Sequence, residues 1–262
     1  MDHRLSRRRL LSAAAAVLTT ATVGGCDKAN GAKPAPTPTS QPPPNTPVAS
    51  WALIGGFNRP GVLALRPARL VVFADGEAIA DAVYRAQLDP DELKDLVDGL
   101  LAALTQPDVQ KGRSDAPSVI DAATTRLEVW SGTAPVVVSA EALDELRDTD
   151  GYPRALYDAR DRLAAVHKSV AETAQPYLAD RVRVVAEPAG TDASETRTWP
   201  VEVTLGPADD KSVQRADLTG EAARSAVRML TRDLDQRGAW PAYRTGGGKL
   251  IQASWRYLLP NE

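Results

Sequence analysis

The sequence predicts an α+β fold: two ββαββ-like repeats, helices packed on antiparallel sheets, joined by a central helix. Three observations carry this. Short runs rich in Val, Leu and Ile alternate with turn residues. Two amphipathic stretches lie 130 residues apart with matching flanks. A third amphipathic stretch stands between them.

In the first half, Arg69 to Phe73 reads as a strand. Asp75-Gly76 reads as a tight turn, because Gly accepts positive φ. A second strand is expected over about Ala78 to Ala86. Asp89-Pro90-Asp91-Glu92 is a helix start, with Asp89 as N-cap, Pro90 at the first position and Glu92 completing a capping box. Leu93, Leu96, Val97, Leu100, Leu101 and Leu104 then fall on one helical face. Strands follow at Thr125 to Trp130 and Pro135 to Ser139.

The second half repeats this pattern. Arg85-Ala86-Gln87-Leu88 matches Arg215-Ala216-Asp217-Leu218, and Thr219 takes the cap position of Asp89. Ala223, Ala226, Val227, Leu230 and Leu234 replace Leu93, Leu96, Val97, Leu100 and Leu104. The opening strand is expected at Arg181 to Val185, with a long hairpin tip at Pro188 to Arg197. Closing strands are expected at Trp240 to Arg244 and Lys249 to Leu258, turned by Gly246-Gly247-Gly248. Between the halves, Tyr152 to about Thr173 reads as a helix with Leu156, Leu163, Val166 and Val170 on its apolar stripe, expected to pack across both units.

The first 26 residues concern address. Arg4, Arg7, Arg8 and Arg9 precede a weakly apolar run from Leu10 to Thr22. About 13 such residues are too few for a bilayer span, which needs about 20. The charged start and short apolar run are the parts of an export signal. Ser6-Arg7-Arg8-Arg9-Leu10-Leu11 resembles a twin-arginine signal, and Val23-Gly24-Gly25-Cys26 resembles a lipobox. Residues 27–50 hold seven prolines, so residues 26–50 are expected to form a lipidated cysteine and an extended stalk. At about 3.1 Å per residue its reach is on the order of 70 Å. The expected layout is a signal over 1–25, the stalk over 26–50, a first α+β unit over 51–150, a connecting helix over 151–176 and a second unit over 177–262. With Trp255-Arg256-Tyr257-Leu258-Leu259-Pro260 near its end, the chain resembles secreted lipoproteins of actinobacteria. That resemblance implies a location, the extracytoplasmic face of the cell membrane with lipid on Cys26, and no activity.

Composition narrows the function classes. Removing residues 1–25 takes four Arg and one Asp, leaving 27 basic against 33 acidic side chains, a net charge of −6. An acidic body argues against nucleic acid as a partner. Cys26 is the sole cysteine, so no disulfide forms within the chain and stability must come from burial. Besides His3 the chain has only His167, which flanks the central apolar stripe. Common zinc sets and Cys-His catalysis are therefore excluded. No Gly-x-Ser-x-Gly elbow occurs, and Gly246 to Gly248 lacks phosphate-loop spacing. Asp148-Thr149-Asp150-Gly151 resembles the start of a calcium loop without its later ligands. No metal, cofactor or catalytic residue is assigned.

The acidic groups at Asp89, Asp91 and Glu92, at Asp148 and Asp150, and at Asp209 and Asp210 read as caps and solvated loops. The five tryptophans read mainly as core, with Trp130 and Trp255 the candidates for an exposed aromatic surface. The expectation is a non-enzymatic binding or scaffold module whose partner is an envelope protein or glycan. The alternatives are a carboxylate-dependent envelope hydrolase, recognised by two acidic side chains facing across a cleft, and a secreted hydrolase- or protease-inhibitor-like protein.

Overall fold

The computed structural model describes residues 45–111, 119–190, 196–200, 202–234 and 239–262. All of them belong to the unit Thr39–Glu262. The signal, lipobox and Cys26 lie outside the described residues.

The chain is mixed α+β, with helices packed on two sheets. The first sheet comprises β1 (Pro47–Gly55), β2 (Leu70–Phe73), β3 (Glu77–Ala80), β4 (Tyr84–Gln87), β5 (Ala123–Trp130) and β6 (Pro135–Glu141). They lie in the order β4-β3-β2-β1-β5-β6, every neighbour antiparallel. Helix α1 (Pro60–Leu65) follows β1. Helices α2 (Pro90–Leu104), α3 (Pro107–Gln110) and α4 (Arg154–Glu172) belong to the same half.

β1 is one of the two central strands of this sheet, and it starts at Pro47, inside the stretch expected to be stalk. Its partners β2 and β5 come from further along the chain. The expected strand at 78–86 is two strands, because Asp81 and Ala82 both take positive φ and the Val83 N–H donates to the Ala80 carbonyl at 2.9 Å. Ala has no intrinsic preference for that conformation, but Ala82 is buried and packing holds it there. The Asp75-Gly76 turn joins β2 to β3 as expected, with Gly76 at φ +88°.

The start of α2 carries the capping box. The Asp89 carboxylate accepts from the Glu92 N–H at 2.8 Å, and the Glu92 carboxylate accepts from the Asp89 N–H at 3.3 Å. Leu96, Leu100 and Leu104 are buried beneath it. The buried side chains of α4, among them Leu156, Leu163 and Val170, join that same first core. The central helix therefore packs on the first unit rather than across both.

The second sheet comprises β7 (Arg181–Pro188), β8 (Thr196–Thr198), β9 (Gln214–Thr219), β10 (Ala242–Arg244) and β11 (Leu250–Tyr257), with α5 (Gly220–Asp233) leading from β9. Its order is β8-β10-β11-β7-β9, antiparallel except for the parallel pair β8/β10. The stretch expected as a hairpin tip instead carries β8 to the opposite edge from β9. The two helices match in their buried stripe, with Ala226 and Leu230 buried where Leu96 and Leu100 are, but Thr219 stands at the N-cap of α5 without the side-chain cap bond that Asp89 makes. Leu234 departs from the match: α5 ends at Asp233 and the backbone turns extended, leaving Leu234 exposed. The sheets are also wired differently. After α2 the first closing strand, β5, pairs with the opening strand β1 and β6 lies beyond it, whereas after α5 the last strand, β11, pairs with β7 and β10 lies beyond it.

Two junctions join the halves. At one, Glu187 of β7 is buried among residues of both. Its carboxylate accepts from the Gly61 N–H at 2.8 Å and from the Gln252 side-chain amide at 2.9 Å, and it meets the Arg59 guanidinium at 3.1 Å. Any side chain at position 61 would strike this carboxylate, since a Cβ there would lie 2.6 Å from Oε2. At the other, Tyr177, Tyr257 and Leu259 cover Val71, Phe73 and Ile79 on the first sheet. The Tyr177 hydroxyl donates to the Leu258 carbonyl at 2.8 Å.

Replacing Glu187 with Leu leaves the buried Gly61 N–H without an acceptor, which costs about 1–3 kcal/mol; urea unfolding of Glu187→Leu should show that loss, and an unchanged midpoint would remove the junction's role. Tyr177 is pushed up to about 12, by burial first and then by the Glu77 and Glu262 carboxylates. The folded chain therefore keeps a proton that the unfolded chain releases above about pH 10. Its contribution is full below that pH and is lost as pH rises towards 12. Tyr177→Phe should flatten that loss without abolishing it, because Tyr243, raised by burial and by Asp233, and Lys94, raised by its bond to Asp98, also hold their protons more tightly in the folded chain. Parallel unfolding curves from pH 9 to 12 would measure it, and identical slopes would refute it.

Candidate functional site

At the Gly55 end of β1 the first half opens into a cleft of about 620 Å³, within the usual range of ligand sites. Its walls come from separate segments. Leu53 comes from β1, Gly56 and Phe57 from the loop after it, and Arg66, Pro67 and Arg69 from the loop between α1 and β2. Asp81 comes from the β3–β4 turn, Asp121 and Ala123 from the start of β5, and Glu145 from the loop after β6.

Backbone contacts fix this geometry. The Phe57 N–H donates to the Asp121 carbonyl at 3.0 Å, so these two residues stand side by side in the cleft wall. Gly56 makes that approach possible. It sits at φ +82°, and a Cβ there would lie 3.3 Å from the Ala123 methyl. Phe57 is 84% exposed and Ile120 is 85% exposed, both beside Asp121.

Behind the cleft lies a polar cluster that the sequence did not announce. Asp81 meets the Arg69 guanidinium at 3.1 Å and His167 Nε2 at 2.7 Å. The His167 ring stands edge-on to Trp51, with centroids 5.8 Å apart. Arg69 and Arg160 lie over the Trp51 indole at 5.6 and 5.4 Å. The Trp51 N–H is buried and finds no acceptor among the described residues. His167 thus holds a carboxylate of the cleft wall, a role its place beside an apolar stripe did not reveal. The neighbours of Glu145 are engaged elsewhere: Asp144 with Arg160 at 2.7 Å, and Arg147 with Asp161 through two bonds of 2.9 and 2.7 Å. The Arg147 hydrogen bonds hold the Asp161 carboxyl below the ordinary carboxylate range, against the opposing effect of burial.

Trp130 and Trp255 do not share a face. Trp130 ends β5, half-buried against the first core, and its buried indole N–H meets no acceptor among the described residues. Trp255 lies in β11, half-buried against the second core and edge-on to Tyr257 at 5.0 Å. Among the described residues the exposed aromatic side chain is Phe57, and a lone Phe in a loop gives no signal in the sequence.

Three carboxylates from three segments border the cleft: Asp81, Asp121 and Glu145. Glycoside hydrolysis needs one carboxyl kept protonated near neutral pH. Among the described carboxyls every clear departure is downward, at Asp161, Asp209, Asp217, Glu221, Asp233 and Glu262. Among the described residues, no three His, Cys, Asp or Glu side chains gather as a metal-holding group, and no helix is long and apolar enough to cross a membrane. Comparison with protein-family models, curated proteins and solved structures finds no match.

The His167–Asp81 contact is partly solvent-exposed, so its loss should be modest. His167→Leu is expected to lower stability by roughly 1 kcal/mol, read from urea unfolding; a neutral effect would mean that Arg69 alone holds Asp81.

Proposed function

We propose that this chain is a lipid-anchored, non-enzymatic binding or scaffold module on the extracytoplasmic face of the cell membrane, with an envelope protein or glycan as partner. The supporting observation is the cleft at the Gly55 end of β1. The Pro-rich stretch joins β1 at Pro47, and the cleft lies at the other end of the strand. Eight steps of about 3.3 Å separate the two, roughly 26 Å. A tether at Cys26 therefore leads into the strand at one end while the other presents the cleft. The twin-arginine-like and lipobox-like motifs supply the address. Several wall segments and an exposed aromatic ring suit the cleft for binding.

Asp121 and Glu145 favour a second reading, a carboxylate-dependent envelope hydrolase. Turnover of an envelope glycan by the full chain, abolished in Asp121→Asn, would select it over the first.

In an expressing host, labelled palmitate should enter the wild-type chain and not Cys26→Ser. The wild-type chain should retain from envelope extract a component that Leu53→Arg, which places a long charged side chain in the cleft, does not. Absence of label refutes the anchor, and identical retention by both chains refutes the cleft as the binding site.

A further inference from the structure

We infer that the cleft takes an extended peptide segment in which a lysine or arginine stands beside an apolar side chain. This rests on the reading of the cleft as the binding site and adds the chemistry of its ligand.

The charges of the wall are not equally available. The Arg69 guanidinium is engaged by Asp81 at 3.1 Å and lies over Trp51. The second oxygen of Asp81 holds His167 at 2.7 Å. Arg66 donates to the Gly55 carbonyl at 2.7 Å, which orients its guanidinium along the wall. Asp121 and Glu145 remain, both exposed, and neither meets a cation among the described residues. Among the described residues the five charged groups leave the wall one unit negative, with Asp121 and Glu145 on two different segments.

The apolar part of the wall lies beside them. Leu53, Pro67 and Ala123 line it, and Phe57 stands beside Asp121 through the backbone bond between them. A cation placed between Asp121 and Glu145 thus has an apolar neighbour on the Phe57 side. The remaining Arg66 donors suit the carbonyl oxygens of a peptide backbone. A volume of about 620 Å³ suits a few residues rather than a folded domain.

The test is calorimetric titration of the full chain in detergent with acetyl-Ala-Lys-Leu-Ala-amide and with its Gln and Glu counterparts. The Lys peptide should bind at least ten-fold more tightly than the Gln peptide, and the Glu peptide more weakly still. That preference should shrink as salt rises. The double variant Asp121→Asn/Glu145→Gln should erase the Lys-over-Gln preference. Phe57→Ala should weaken the Lys and Gln peptides several-fold alike and leave the preference intact. All three substituted side chains are exposed, and the comparison among peptides on the wild-type chain needs no variant. Equal binding of the Lys and Gln peptides, tighter binding of the Glu peptide, or no binding at millimolar peptide would each overturn the inference. If the peptides fail while Leu53→Arg still loses its envelope component, the ligand chemistry is wrong and the binding-module reading stands. If Leu53→Arg retains that component, the reading itself falls.

Discussion

The buried Glu187 carboxylate is the constraint on which the arrangement of this molecule depends. A chain with one cysteine cannot staple its halves by an internal disulfide. Two cores of modest size must therefore be held in register by contacts that a shift would break. Glu187 supplies such contacts, because it sits on β7 of the second sheet and takes the N–H of Gly61 in α1 from the first half. A buried charge without partners is costly. Gly61, Gln252 and Arg59 together satisfy it, and the absence of a Cβ at Gly61 leaves room for the approach. The Arg59 guanidinium also lies over the Trp240 ring at 5.1 Å, extending the same junction.

That junction reaches the cleft. Helix α1 is held against the second sheet, and the loop leaving α1 carries Arg66, Pro67 and Arg69 into the cleft wall. The opposite wall is set by the first sheet, through the β3–β4 turn and the start of β5. Asp81 connects the two walls. Its backbone is fixed in a left-handed turn, its N–H donates to the Arg69 carbonyl at 2.9 Å, and its carboxylate takes Arg69 and His167. A substitution at Glu187 could therefore alter the cleft without touching it, because the wall and the junction share one short helix.

The far end of the chain forms a second seal. Glu262 accepts from Arg256 through two contacts of 2.6 Å and lies 3.5 Å from Arg183, which also bonds Asp217 on β9. These pairs lie beside the segment of Tyr257, Leu258 and Leu259 that closes the back of the first sheet. Burial there comes mostly from Tyr177, Tyr257 and Leu259, and the arginines fix where the segment runs. Hydrophobic area supplies the larger effect and partly exposed ion pairs a smaller one.

The amino-acid sequence by itself determined the three long helices, α2, α4 and α5, but not the short α1 and α3. The Asp89 capping box, the stripe from Leu96 to Leu104 and the matching stripe of α5 follow from side-chain spacing and local hydrogen bonding, which need no distant partner. The turns at Gly76 and Gly248 follow from backbone freedom at glycine in the same way. Long-range pairing decided the rest. β1 is central because β2 and β5 close on both its edges; Val48, Trp51 and Ile54 favour a strand, but its start at Pro47 runs on from the Pro-rich stretch and reads as part of it. The Asp81-Ala82 turn exists because burial holds an alanine in a conformation it does not prefer. The cleft was not legible at all, since Phe57, Arg66, Asp81, Asp121 and Glu145 are ordinary loop residues until the fold brings their segments together. Neighbours in sequence set the elements; which distant side chains share one space depends on how the strands pair.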